Sequence, residues 1–259
     1  MLGGFLSGML GIGGGVVYVF VLTQAHHYHY GEAQDLGRFV IANSLFVIFF
    51  SSLSSTLLFK KEKLFYPKET LTIGVPSICL LFLLTIGIVS QPFFSAKLFN
   101  AINLAVLIYI LYTSVKRLKQ SIQHTKVQQI SIKTYIISGV LSGTMAALTG
   151  LGGGTILNPI LNGRCKLPLT TTRSISLGVI MLSSFAITIF NISVNTKLAY
   201  GSYTLGYINF SFCIPLAIGS LLCSPLGVKT GNKLKASQVM MLFSIFILLM
   251  IIKKAMTFL

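Results

Sequence analysis

A short glycine motif occurs twice in this chain. Gly11-Ile-Gly-Gly-Gly15 near the start returns as Gly150-Leu-Gly-Gly-Gly154, at an offset of 139 residues. The flanks correspond too: Gly4-Phe-Leu-Ser-Gly-Met-Leu leads into the first copy and Gly143-Thr-Met-Ala-Ala-Leu-Thr into the second. Both copies sit inside apolar stretches. A glycine interruption repeated in two apolar segments points to two broken helices with a binding site between two halves.

Composition sets the environment. Hydrophobic residues make up 54% of the 259 residues and charged residues only 9%, where a soluble domain carries about 25% charged residues. Mean hydropathy is +0.84. One water-soluble core cannot hide that much apolar surface, so the chain reads as an all-α polytopic membrane protein. The net charge of +16 suggests nucleic-acid binding at first sight. Position argues against it. The Lys and Arg residues lie between apolar segments, chiefly at 60–68, 116–133 and 229–235, where the positive-inside rule and anionic headgroups place them. The expected surroundings are a lipid bilayer and not nucleic acid.

Apolar runs cover 2–24, 38–59, 70–91, 98–115, 134–162, 173–192, 202–227 and 236–258. Most approach the ~20 residues that cross a bilayer as a helix. The basic connector 119–132 separates an N-terminal membrane repeat, 1–118, from a C-terminal one, 133–259. Each repeat has four segments, the first carrying the glycine motif. The second segments also correspond: Ala42-Asn-Ser-Leu45 resembles Ser174-Ile-Ser-Leu177.

Charge bears on topology. If all eight segments cross, the 20 Lys and Arg residues divide twelve to eight between the two sides. If the segment holding Gly150–Gly154 enters and returns on one side, they divide fifteen to five. The richer side is then cytoplasmic. If the first segment is re-entrant as well, each repeat has three spanning helices plus a broken hairpin, and the repeats are inverted.

The first segment lacks a basic n-region and its motif recurs internally, so it reads as a retained segment and not a cleaved signal. The four cysteines, Cys79, Cys165, Cys213 and Cys223, form no C-x-x-C pair and read as small apolar residues.

Non-helical backbone at membrane depth survives only when buried in protein or lining a cavity. A helix restarting at Gly15 or Gly154 would aim free N–H groups and a positive dipole end at such a cavity, which suits an oxyanion. Gly11, Gly13, Gly14, Gly15, Gly150, Gly152, Gly153 and Gly154 are therefore candidate substrate-binding residues. The competing reading is that they only permit tight helix packing. A nucleotide P-loop does not fit, since no Lys-Ser or Lys-Thr follows. The acids are Glu32, Asp35, Glu62 and Glu69, all in connectors or at segment edges. A cation carrier usually places a carboxylate inside the bundle. Arg38 and Arg173, by contrast, open the second segment of each repeat and are placed to pair with an anion, unless they are interfacial anchors. Ser44 and Ser176 lie inside those helices as hydroxyl donors, with bonding back to their own helix as the alternative. Asn43 and Asn158 complete the set. His26, His27 and His29, interleaved with Tyr28 and Tyr30, read as a hydrated loop in preference to a metal site. No metal or other cofactor is expected.

The motif from Gly4 through Gly15, its copy at Gly150–Gly154 with Pro159 five residues on, and the Ser-Leu pairs at 44–45 and 176–177 resemble the sulfite exporter TauE/SafE family. The family is also called the 4-toluene sulfonate uptake permease family. The likeness spans nearly the whole chain. It implies an inner-membrane carrier for sulfur-containing anions such as sulfite, taurine or sulfoacetate. Two departures weaken the symmetry of the half-sites: Phe20 stands where a proline would parallel Pro159, and Ala147 replaces the counterpart of Gly8.

The expected function is a secondary transporter of a small sulfur-containing anion, sulfite or an organosulfonate, working by alternating access, with export slightly favoured. No enzymatic activity is expected. An anion channel or a non-transporting membrane subunit is the alternative. A membrane-embedded hydrolase fits poorly, because its nucleophile needs a base in reach and the acids are peripheral; His124 or the histidines at 26–29 would have to approach an intramembrane serine.

Overall fold

A computed structural model of the chain describes residues 1–31, 35–118, 130–194, 203–234 and 236–258. Most of the basic connector, Glu32 and His124 lie outside the described residues. Among the described residues the architecture is helical, apart from one two-stranded hairpin. That follows from an apolar environment, in which backbone polar groups must be satisfied within each segment.

The first apolar segment is split into α1 (Leu2–Leu10) and α2 (Gly15–Tyr30). Next come α3 (Leu36–Lys61), α4 (Pro67–Leu84), which widens into a π-helical turn at Thr85–Val89, and α5 (Ala96–Leu118). The second half repeats the order. A second split segment gives α6 (Ile132–Thr149) and the short α7 (Gly154–Asn158), followed by a π-helical turn at Pro159–Arg164. Then come α8 (Leu169–Ser193), α9 (Phe210–Lys233) and α10 (Ala236–Phe258). Among the described residues, α3, α4 with its π turn, α5, α8 and α9 are long and apolar enough to cross a membrane. The chain is an all-α polytopic membrane protein.

α3 and α8 pack against each other at the centre and are the most buried of these helices. Around them α1 lies on α9, α4 on α6, and α5 on α10. The closest approaches run along small residues. Gly4 and Gly8 of α1 leave no room for a side chain against Ser220 and Ser224 of α9, and Gly139 and Gly143 of α6 do the same against Ile73 and Ser77 of α4. Such spacing of small residues lets membrane helices meet backbone to backbone. The outer faces of α4, α9 and α10 expose Leu71, Leu83, Ile218, Leu222 and Leu249, an apolar surface suited to lipid.

The running direction of each element is set by a few contacts. Ser174, near the start of α8, donates to the Leu64 carbonyl just beyond α3, 2.6 Å away, so α3 and α8 are antiparallel. Tyr66 bonds Thr171 at that same end, and Arg173 bonds Gly231 near the end of α9. Gly139 beside Ile73 brings the starts of α6 and α4 there too. The lysine-rich stretches 60–68, 164–173 and 229–233 therefore gather at one end of the bundle. Tyr30, Arg38, Val89 and Tyr207 mark the other. The α6–α7 segment enters and leaves at the lysine-rich end. The C-terminus of α2 lies at the opposite end.

Two expectations are corrected. The apolar run 202–227 does not cross from its beginning: β1 (Thr204–Leu205) and β2 (Ile208–Asn209) form a hairpin before α9 starts. Gly206 turns it with φ of 59°. Asn43 pins this hairpin, donating to the Tyr207 carbonyl at 2.9 Å and accepting from the Asn209 N–H at 2.8 Å. The histidines at 26–29 also do not form a loop. α2 continues through Tyr30, and His26 is buried with its ring 4.9 Å from that of Phe39. His27 and His29 remain exposed. Among the described residues, no three His, Cys, Asp or Glu side chains converge on a metal position. Cys165 and Cys213 are buried, whereas Cys79 lies on the outer surface.

Candidate functional site

Both glycine motifs end a helix in the same way, though the helix restarts after a left-handed Gly14 (φ 72°) in the first and a right-handed Gly153 (φ −69°) in the second. α1 ends at Gly11, whose left-handed φ of 72° lets its N–H turn back to the Ser7 carbonyl. α6 ends at Gly150, φ 67°, with the same bond to Ala146. This left-handed cap is what glycine supplies at a helix C-terminus. The chain then reverses through Gly13 and Gly14, or through Gly152 and Gly153, and re-forms a helix at Gly15 or Gly154.

The two breaks meet. A Cβ on Gly15 would strike the backbone of Leu151, and one on Gly154 would strike Ile12 and the Gly11 carbonyl. Each reversal is therefore packed backbone to backbone against the other. Ile48 of α3 and Ile180 of α8 flank Gly13, and Ile48 also borders Gly152. Gly14 and Gly153 are filled in by Gly3 and Ser142 of their own hairpins.

The serines are exchanged between halves. Ser44 of α3 donates to the Gly150 carbonyl at 2.9 Å, and Ser176 of α8 donates to the Gly11 carbonyl at 2.9 Å. Both hydroxyls are fully buried. Ser176 gives its proton to the first break, whereas the Ser44 proton is shared between the Gly150 carbonyl and the Ile41 carbonyl of its own helix, 3.0 Å away.

Arg173 is 2% exposed. It donates to the Met9 carbonyl at 3.0 Å, the Gly231 carbonyl at 3.2 Å and the Leu169 carbonyl at 3.3 Å. Its guanidinium is turned inward, joining α1, α8 and α9 beside the first break. Asn158 adds a bond to the Leu10 carbonyl at 2.7 Å. The last carbonyls of a helix have no partner within it, and here Met9, Leu10 and Gly11 receive theirs from three side chains of the second half.

Arg38 and Asn43 are not part of this cluster. Arg38 donates to the Val89 carbonyl at 2.8 Å and pairs with Asp35 at 3.3 Å, tying α3 to the end of α4. It is not the counterpart of Arg173. The Ser44–Ser176 correspondence matches Arg173 to Ile41, and the geometry agrees: Gly11 faces the Cα of Arg173 as Gly150 faces the Cα of Ile41. Asn43 serves the hairpin. The structure adds Ser51, which donates to the Gly13 carbonyl at 3.1 Å and accepts from Ser7. Its signal in the sequence is a seven-residue step, Ser44 to Ser51, repeated as Ser176 to Ser183. Seven residues are two helical turns, so each pair lies on one helix face.

Bilayer-length helices surrounding two helix breaks define a multi-pass membrane protein of the cell membrane. The chain belongs to the sulfite exporter TauE/SafE family, whose sequence model matches residues 1–254. It is also similar to a probable membrane transporter protein of Methanocaldococcus jannaschii, with 30% identity over 247 residues, 93% of this chain and 87% of the relative. No solved structure matches. The chain is accordingly a membrane transporter and not an enzyme.

Proposed function

We propose that this transporter is a gradient-driven carrier of a small sulfur-containing oxyanion, sulfite or an organosulfonate, with export favoured by the family resemblance. The observation that carries the reading is the meeting of two glycine breaks, one from each half, at the centre of the bundle. The first turn of α2 has N–H groups without intrahelical acceptors, and its positive dipole end suits an anion. Acid residues are confined to Glu32, Asp35, Glu62 and Glu69, so the second half offers no carboxylate to a cation. Buried Arg173 adds positive charge beside the first break.

The halves 1–118 and 133–259 act as inverted repeats. Antiparallel α3 and α8, and the crossed pairs α1 with α9 and α4 with α6, support that assignment. The lysine-rich end faces the cytoplasm. Rocking one repeat against the other alternates access to the breaks. Ser44, Ser176, Asn158 and Arg173 shape the site through the backbone they hold, and the glycine amides face the anion.

The test is thermal stabilisation of purified protein by sulfite, sulfate, thiosulfate, taurine, sulfoacetate, chloride and sodium. A ligand that binds only the folded state raises its stability. One sulfur oxyanion should give a saturable shift, and Gly152→Ala should remove it. That position has room for a methyl, its nearest neighbours being 3.5–3.7 Å away, although φ is 78°. A shift with cations alone, or with no anion in the panel, would sink the reading.

A further inference from the structure

The two breaks correspond in their caps at Gly11 and Gly150, differ at Gly14 (φ 72°) and Gly153 (φ −69°), and are held differently. At the first, Arg173, Asn158 and Ser176 donate to three successive carbonyls, Met9, Leu10 and Gly11. The corresponding carbonyls of the second are Leu148, Thr149 and Gly150, from the 139-residue offset of the motif. Ser44 serves Gly150. The position matching Asn158 is Val19, each being the fifth residue of the helix that restarts after its break. The position matching Arg173 is Ile41. Neither Val19 nor Ile41 carries a side-chain donor, and both are buried.

We propose that Arg173 is a positioning residue that locks the first break onto α8 and α9, leaving the second break, with α7 and the Asn158 tie it carries to Leu10, as the part that moves during transport. The inference rests on the carrier reading and narrows the motion from whole repeats to the second hairpin. Arg173 clamps α1 to α8 and α9 at once, so the first hairpin cannot shift without giving up a charge-assisted bond in a buried place, and such bonds are the strong ones. The second hairpin is tied at its turn by the Ser44 bond alone among the side-chain contacts at these three carbonyls. It also departs from regular helix just beyond the break. Pro159 follows Asn158 and has no N–H to give, and the backbone widens into the π turn 159–164. α2 runs regularly for 16 residues instead. π turns and prolines are where helices bend.

The deciding experiment is hydrogen–deuterium exchange on the full-length protein in detergent without added anion. Peptides covering 9–15 and 148–154 are compared in wild type, Asn158→Val and Val19→Asn. The wild type should protect 9–15 more than 148–154. Asn158→Val should speed exchange at 9–15, and Val19→Asn, which hands a donor to the second break, should slow exchange at 148–154, each by about fivefold for one added or lost hydrogen bond. Val19→Asn should also slow sulfite counterflow in proteoliposomes without lowering thermal stability, an outcome that a merely structural asparagine would not produce. Equal protection of the two breaks in wild type overturns the proposal. So does unchanged exchange at 148–154 in folded Val19→Asn, or unchanged counterflow there. A wild type that shows no counterflow, with the exchange asymmetry intact, counts against the carrier reading and not against the lock.

Discussion

The hydroxyl of Ser176 lies 2.9 Å from the carbonyl oxygen of Gly11, 165 positions earlier in the chain. Ser44 stands at the same distance from Gly150, 106 positions later. Each half thus ties down the helix break of the other.

Removing either hydroxyl should be costly. Ser176→Ala leaves a buried carbonyl without its donor, which destabilises by about 1–3 kcal/mol. Ser44→Ala should cost about as much. Ser54→Ala is the comparison: Ser54 also bonds a carbonyl, Leu221, but in an exposed place, so its change should stay within about 0.5 kcal/mol. Thermal unfolding of the three variants in one detergent checks the order, and equal shifts would refute it.

The contact between the breaks should not tolerate a methyl. Gly15→Ala and Gly154→Ala place a Cβ into the opposing backbone, and backbone cannot turn aside as a side-chain end can. Both variants should fail to accumulate as monodisperse protein. Gly87→Ala, with no neighbour within 4 Å of the added atom, should behave as wild type in size-exclusion chromatography.

Asn43 should control the hairpin before α9. Asn43→Ala removes the donor to Tyr207 and the acceptor for Asn209. The segment 203–209 should then be cleaved by added protease faster than in wild type, while Gly11 and Gly150 keep their serine partners. Unchanged cleavage would mean that the strand pairing suffices.

The two ends of the bundle should label from opposite sides of the membrane. Lys63→Cys and Lys166→Cys sit at the lysine-rich end, and Tyr28→Cys and Tyr203→Cys at the other, all at exposed positions. With the four native cysteines replaced, an impermeant thiol reagent added outside intact cells should reach only the tyrosine positions. Labelling of both sets, or of the lysine set alone, would reverse or break the topology.

Much of this was legible in the sequence. Hydropathy gave the bilayer-length helices, and the repeated glycines marked both breaks to the residue. The site residues divided less evenly. Ser44 and Ser176 stood out as prospective ligands, but not the carbonyls they reach, because a sequence cannot say which acceptor a buried hydroxyl meets. Arg38 and Arg173 looked paired since each opens a second segment, yet the true register matches Arg173 to Ile41. The histidines at 26–29 looked hydrated, because a short polar run at the end of an apolar segment does not reveal a helix such as α3 waiting to cover one face.

The sequence by itself determined the class of protein, the places where helices break, and the absence of acid residues from the second half. These depend on local chemistry: glycine's access to left-handed backbone, and the cost of an unpaired charge in an apolar medium. Only the tertiary structure decided that the breaks touch, that each takes a bond from the opposite half, and that three donors reach the last carbonyls of α1 where Ser44 reaches those of α6. Those facts arise between residues more than 100 positions apart, where packing chooses the partner.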